Sequence, residues 1–318
     1  MSNSYQSRKT EVSIIVTAYN RNEFLQSAIE SVKTQNIQDV KFETLLVTNF
    51  TPPDSILKDE TIKCFASNEV FIGKMLAEAI SNCSGEVICF LDDDDIFMEN
   101  KLIEVKHSFE GNPDLVYYHN RYKEFGEFYN KPHEKINNPD RNERIEFYSI
   151  LDRKTLNKIL SLNGDHNNSS ICIKRDVLLN NLYKLNNIRS CLDSFLFAVA
   201  SDTYGKKILD NIITTLKRVH NSESNPLTND WAHRKRLLKE LHLKYSDDYL
   251  LISKSTSNSY ISDYFRCRSI VELLEYYLLE RKILSRKFFS NLPSFISCIK
   301  YASIKRVLFR FKQIKDSH

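Results

Sequence analysis

Four consecutive aspartates, Asp92 to Asp95, follow directly on the apolar run Val87-Ile88-Cys89-Phe90-Leu91 in the segment GEVICFLDDDDIFMEN. Carboxylates about 4 Å apart repel one another by roughly 4 kcal/mol near a protein surface. Such a run persists where a cation neutralises it or where water solvates it freely. The first case suits a hard divalent cation, which takes oxygen ligands and is commonly held by one or two carboxylates plus phosphate oxygens. The second is an acidic turn ahead of a helix, whose N-terminus favours aspartate. An EF-hand is disfavoured, because its glycine and spaced acids are absent.

The elements around the run decide where it would sit. Val12 to Thr17 is a β-branched run that reads as a buried strand, and Leu25, Ala28, Ile29 and Val32 recur at helical spacing after it. Asn20 with Glu23 has the form of a capping box, with Asn22 as the other candidate cap. Phe42 to Val47 is a second strand closed by Pro52-Pro53, TIKCFAS a shorter one, and GKMLAEAISNCSG a helix leading to the strand Val87 to Leu91. This alternation predicts an α/β fold with a mostly parallel sheet flanked by helices. In such sheets function gathers beyond the C-terminal strand ends, here Ala18–Arg21, Asn49–Thr51 and the aspartates.

Later segments add a strand at Leu115 to Tyr118, a long loop from Asn130 to Arg144, and a strand passing into a helix in SSICIKRDVLLN. CLDSFLFAVASDTYGKKI reads as a helix, a glycine stop at Gly205 and a strand through about Lys217. Asp193-Ser194 before the apolar helix face is a good helix start. The polar stretch NGDHNNSS, Asn163 to Ser170, suits either the acceptor side of a site or any surface turn, so no role is assigned to it. Beyond Pro226 the pattern is helical throughout, so the expected division is 1–225 and 226–318.

The 318 residues are 42% hydrophobic, enough for a sizeable core. The net charge of +4 is uneven: from Arg281 onward ten Lys/Arg face a single acid, Asp316. Ile304, Val307, Leu308, Phe311 and Ile314 form a helical stripe in that tail, with Lys305, Arg306, Arg310 and Lys312 largely off it. A basic amphipathic helix of this kind in residues 285–318 suits an anionic membrane surface, or packs on protein. No nucleic-acid recognition motif accompanies the charge, so no nucleic-acid partner is expected. Seven scattered cysteines without a CxxC pair fit free thiols in a reducing compartment. With no signal-peptide pattern and no apolar run of about 18 residues, the expected location is cytoplasmic or peripheral on the cytosolic membrane face.

Taken together, VSIIVTAYNR, GEVICFLDDDD, LDSFLFAVA and RVHNSESN resemble a family 2 glycosyltransferase of the GT-A fold over roughly residues 10 to 225. The resemblance implies transfer of a sugar from a nucleotide-diphosphate donor, a UDP-sugar favoured, to an acceptor hydroxyl with Mn2+ or Mg2+ as cofactor. It implies Asp94 as the metal aspartate, the register within residues 92–95 staying open by one, with Asp92 and Asp93 approaching the ribose and the diphosphate–metal cluster. Thr17, Ala18, Tyr19 and Asn20 would line the nucleotide pocket, although Tyr19 also suits an aromatic packed under an ordinary turn. Asn49 stands where the family often has an aspartate that reads the base. The family's Arg-Asn before the aspartates is missing, which leaves Lys74 as a nearby cation or a surface lysine. Asp193 would be the general base of an inverting transfer, and His220, with Arg218 nearby, would complete the metal or diphosphate site. The acceptor would be a glycan or lipid-linked. The competing readings are a degenerate GT-A scaffold and a nucleotidyltransferase, though TAYNRNEF has no glycine for a phosphate loop.

Overall fold

The computed structural model describes residues 11–35, 40–69, 71–126, 144–220, 230–280 and 298. They fall into two compact units: 1–188 with 192–219, and 189–191 with 220–318. The first unit opens with β1 (Glu11–Ala18), α1 (Leu25–Lys33), β2 (Lys41–Thr48), α2 (Asp54–Leu57), β3 (Ile62–Ala66), α3 (Ile72–Asn82) and β4 (Val87–Asp92). It continues through β5 (Ile96–Phe97), α4 (Lys101–Glu110), β6 (Leu115–Phe125), β7 (Ile145–Phe147), α5 (Arg153–Ser161) and a 3-10 turn (Asn168–Ser170). It ends with β8 (Ile171–Lys174), α6 (Arg175–Leu179), α7 (Leu182–Leu185), α8 (Leu192–Asp202) and β9 (Lys206–Arg218).

These strands form one sheet in the order β3-β2-β1-β4-β8-β6-β9-β5, with β7 paired to β9. The β3-β2-β1-β4 half is parallel, as the βαβ alternation predicts. The other half is mixed, because β8 runs antiparallel to both β4 and β6. Val12, Ser13, Ile14, Ile15 and Val16 are all buried, as are Leu45 to Val47 and Val87 to Leu91. Continuous rather than alternating burial is what helices on both faces of a sheet produce.

Leu25, Ala28, Ile29 and Val32 are buried on α1, as their spacing requires. The capping box does not form. Phe24 is the N-cap with no side-chain bond, and Asn20 sits in the left-handed region at φ 58°. The reason is that the Asn20 side chain is engaged elsewhere, with Asn49. Asn163 and Asn167 are also left-handed, at φ 57° and 69°, a conformation that asparagine tolerates better than most residues. The loop predicted at 130–144 lies almost wholly outside the described residues.

The second unit carries α9 (Trp231–Ser255) and α10 (Ser259–Glu280). Within it the Asp248 carboxylate accepts the backbone N–H groups of Arg189, Ser190 and Cys191. Cys267 is bonded to Cys298, so the expectation of seven free thiols is corrected. The other five form no disulfide, and Cys83, Cys89, Cys172 and Cys191 are buried. No helix among the described residues is long and apolar enough to cross a membrane. The basic stripe of residues 304–314 lies outside the described residues.

Candidate active site

The aspartates leave the sheet at the C-terminal end of β4, beside the end of β1. Thr17 pairs with Asp92 in register, and its Oγ1 donates to Asp92 Oδ1 at 3.1 Å. The Asp93 N–H donates to the Thr17 carbonyl at 3.0 Å, and the Asp95 N–H to the Asp92 carbonyl at 3.1 Å. These bonds fold the run into a turn that faces its carboxylates in different directions. Oxygens of Asp92, Asp94 and Asp95 lie within 4.8 Å of one another. Asp93 points instead to Arg21, whose Nε and Nη2 donate to its two oxygens at 2.8 and 2.9 Å. Arg21 Nη2 also donates to Asp94.

β5, a two-residue strand that the sequence did not announce, returns the chain along β9. That return brings the end of β9 against the turn. The Arg218 N–H donates to Asp95 Oδ1 at 2.9 Å, and its Nε donates to the Asp94 carbonyl at 3.0 Å. Its guanidinium lies between the rings of Phe24 and Phe125, 4.3 and 4.4 Å from their centroids. Stacking of this kind fixes the direction in which an arginine presents its charge.

Electrostatics follow from burial and crowding. Burial, then the charges of Asp94 and Asp93, push the Asp92 carboxyl up to about 7 against bonds from Asn168 and Thr17. Asp95 is held well above the usual carboxylate range by burial and then by Asp94 and Asp92. Burial also raises Asp93, opposed by Arg21. For Arg21, burial is outweighed by the bond to Asp93 and the charges of Asp94 and Asp93, so its guanidinium sits above its ordinary range. Groups of like charge forced to share a site in this way mark a place where a further cation would be stabilising.

The donor set fits a hard divalent ion: three carboxylates, no thiol, and an additional oxygen, Asn168 Oδ1, that is buried without a hydrogen-bond partner. Asn168 Nδ2 donates to both Asp92 oxygens, at 3.3 and 3.4 Å. The loop that carries Asn168 is pinned from β6, where Tyr117 Oη donates to the Gly164 carbonyl and His119 Nε2 to the His166 carbonyl. One residue earlier, the Asn167 N–H donates to Asp193 Oδ2 at 3.1 Å. Asp193 lies in the first turn of α8, with its other oxygen accepting the Ser194 N–H at 2.8 Å. The stretch NGDHNNSS, whose composition is that of any surface turn, therefore ties the acidic turn to Asp193.

Of the residues expected to line a nucleotide pocket, Thr17 and Ala18 end β1, and Tyr19 follows half-buried. Asn20 and Asn49 bind each other reciprocally: Asn20 N–H to Asn49 Oδ1 at 2.8 Å, and Asn49 Nδ2 to Asn20 Oδ1 at 2.7 Å. Lys74 is a surface lysine paired with Glu69 at 3.3 Å. His220 belongs to the second unit, directly after Val219, the last residue of the first. Asp95 entered from the sequence as a member of the aspartate run, whereas Arg21, Asn168 and Ser169 were given no role there. Of these three, Arg21 carried a signal, as the one cation in the loop after the first strand.

The fold recurs in solved structures. TarS of S. aureus, residues 1–349 with UDP-GlcNAc, superposes with a TM-score of 0.54 at 13% identity over 91% of this chain and 79% of that one. The mannosyltransferase PcManGT from Pyrobaculum calidifontis, with GDP-Man and Mn2+, gives a TM-score of 0.54 at 11% identity over 96% and 85%. At such identities the likeness is one of fold, and the fold is GT-A. Curated relatives include uncharacterized glycosyltransferases of Rickettsia felis, 32% identical over 124 residues, and of Rickettsia conorii, 31% identical over 125. Each match takes in 37% of this chain and 20% of the relative, so the chain matches about a fifth of their length. The family model of Glycosyl transferase family 2 matches residues 13–178, more than half of the chain. The protein belongs to that family.

Proposed function

We propose that the protein transfers a sugar from a nucleoside-diphosphate donor, a UDP-sugar favoured, to an acceptor hydroxyl with inversion at the anomeric carbon. The observation that carries this is the trio Asp92, Asp94 and Asp95, crowded within 4.8 Å at a strand end and flanked by Arg21 and Arg218. These carboxylates would hold Mn2+ or Mg2+. The chemistry such an ion supplies is neutralisation of the charge that builds on the leaving diphosphate.

The chain's own groups do the rest. Arg21 and Arg218 add fixed positive charge on the side where the diphosphate departs. Asn49, held by Asn20, offers both a donor and an acceptor to the base. Asp193 accepts the proton of the acceptor hydroxyl as its oxygen bonds to the anomeric carbon and the sugar–phosphate bond breaks. Help of this kind is worth about 10²–10⁴-fold in rate. The Asn167 N–H bond orients the Asp193 carboxylate for that task. TarS bound to UDP-GlcNAc and PcManGT bound to GDP-Man support a nucleotide-sugar donor in general. The acceptor is a glycan or a lipid-linked sugar, and the basic tail of residues 285–318 would bring the enzyme to an anionic membrane surface.

Incubating the full chain with a panel of nucleotide sugars, with and without Mn2+, tests the reading by release of the nucleoside diphosphate. Metal-dependent release from one donor is expected, and absence of release from every donor would overturn it. Cosedimentation with anionic liposomes, compared with a chain lacking residues 285–318, tests the tail. Unchanged pelleting would remove the membrane role.

A further inference from the structure

Lys101 is the first residue of α4, and its side chain is fully buried. This is the unfavourable end of a helix for a cation, because the macrodipole already places partial positive charge there. Burying an ammonium is also costly unless its protons are all satisfied. Around it stand the side-chain oxygen of Asn120, the Ser169 carbonyl at 3.3 Å, the Cys172 side chain and the face of the Phe97 ring with its centroid 5.1 Å away, none of them a carboxylate. A methionine would fill the same space without those penalties. Fold stability alone therefore does not account for a lysine.

What Lys101 reaches does account for it. Ser169, itself fully buried, receives on its Oγ the Asp92 N–H at 3.0 Å and gives a hydrogen bond to the Asp95 carboxylate. Its carbonyl takes Lys101 Nζ and, at 2.9 Å, Thr215 Oγ1. Asn120 closes the circuit by donating to Thr215 Oγ1 at 3.0 Å. Lys101, Asn120, Ser169 and Thr215 are thus a buried polar network under the acidic turn, in contact with the Asp92 backbone N–H and the Asp95 carboxylate. Arg21 and Arg218 supply charge to the turn from its outer side, and Lys101 supplies it from within.

We propose that Lys101 is a positioning residue, a buried counter-charge that acts through Ser169 to hold Asp92 and Asp95 at the spacing a divalent cation requires. This rests on the cation-dependent reading above, and the two can fail separately. Groups behind the ligands of a metal typically govern about 10–100-fold in affinity.

The test uses the full chain and two readouts. The first is hydrogen–deuterium exchange of the peptide spanning residues 90–97 in EDTA, which needs no metal. The second is Mn2+ affinity by electron paramagnetic resonance without any donor. Lys101→Met is expected to speed exchange of the Asp92 amide and to weaken Mn2+ binding about tenfold or more. Ser169→Ala should do the same, and combining the two should weaken binding no further than either alone. If Lys101→Met does not fold, Ser169→Ala and Thr215→Val carry both readouts. A folded Lys101→Met with wild-type exchange and wild-type Mn2+ affinity would overturn the positioning role alone. A wild-type chain that binds no Mn2+ would overturn the cation-dependent reading and this proposal with it.

Discussion

Arg21 grips Asp93 with two nitrogens, Nε to Oδ2 at 2.8 Å and Nη2 to Oδ1 at 2.9 Å, and the same Nη2 reaches Asp94. One side chain from the loop after β1 thereby answers part of the charge of a turn after β4. Asp94 belongs to the carboxylate trio, so Arg21 both lowers the repulsion within the turn and shares one of its ligand groups.

Replacing Arg21 by glutamine removes that positive charge, and a carboxylate that loses a nearby cation becomes harder to ionise. Asp92, already up at about 7, is expected to rise further. The pH midpoint of Mn2+ binding should move about one unit to the alkaline side. Above that midpoint binding should be at least as tight as in the wild type, because Asp94 is released. Mn2+ titrations by electron paramagnetic resonance between pH 6 and 9 measure both, and a midpoint that stays or falls would contradict the role of Arg21.

Asp92 also sets a pH dependence of stability. Its folded value of about 7 exceeds the ordinary 3.8, so between those values the folded chain binds the extra proton. Stability then falls as pH rises through this window, by up to roughly 4 kcal/mol at about 1.4 kcal/mol per unit. His119 works the other way: burial lowers it to about 4, so its effect on stability improves between about 4 and 6.5. Comparison with Asp92→Asn cancels the histidine. In EDTA the melting temperature of Asp92→Asn relative to the wild type is expected to climb from pH 4.5 to 7.5. Mn2+ at pH 7.5 should then raise only the wild type. A flat difference across the range would sink this account.

Asp193→Asn keeps the size of the side chain and one of the two oxygens that accept the Asn167 and Ser194 N–H groups, so a single hydrogen bond is lost. The fold and the binding of a nucleoside diphosphate with Mn2+ should therefore survive, as read by thermal melting and calorimetry. Transfer should drop by about 10²–10⁴-fold. A variant that transfers sugar at the wild-type rate would take Asp193 out of the mechanism.

Asn49→Ala breaks both bonds of the reciprocal pair with Asn20. Hydrogen bonds of this exposed kind contribute about 0.5–1.5 kcal/mol each. Nucleotide affinity is expected to fall about tenfold while the melting temperature falls by about 2–12 °C, the loss that two such bonds imply. Unchanged affinity in calorimetry would show that Asn49 does not face the base.

The parallel half of the sheet was legible because buried strands and amphipathic helices write themselves locally. Val12 to Thr17, the α1 stripe and Val87 to Leu91 carry their burial in residue type and period alone. The acidic turn was legible for the same reason, since a strand end fixes where the following loop projects. The antiparallel insertion of β8 and the two-residue β5 were not, because each is defined by a partner more than 80 residues away in sequence.

Residue types and local spacing alone determined that a carboxylate-rich loop would crown a parallel sheet, and that Asp193 would open a late helix. Only the tertiary structure decided which carboxylates converge, that Arg21 takes Asp93 out of the cluster, and that a buried lysine stands beneath Asp92 and Asp95. Hydrophobic period is a property of neighbours along the chain, whereas charge compensation is a property of neighbours in space. A buried charge is paired with whatever the fold brings within a few ångströms, and nothing in the sequence fixes that partner in advance.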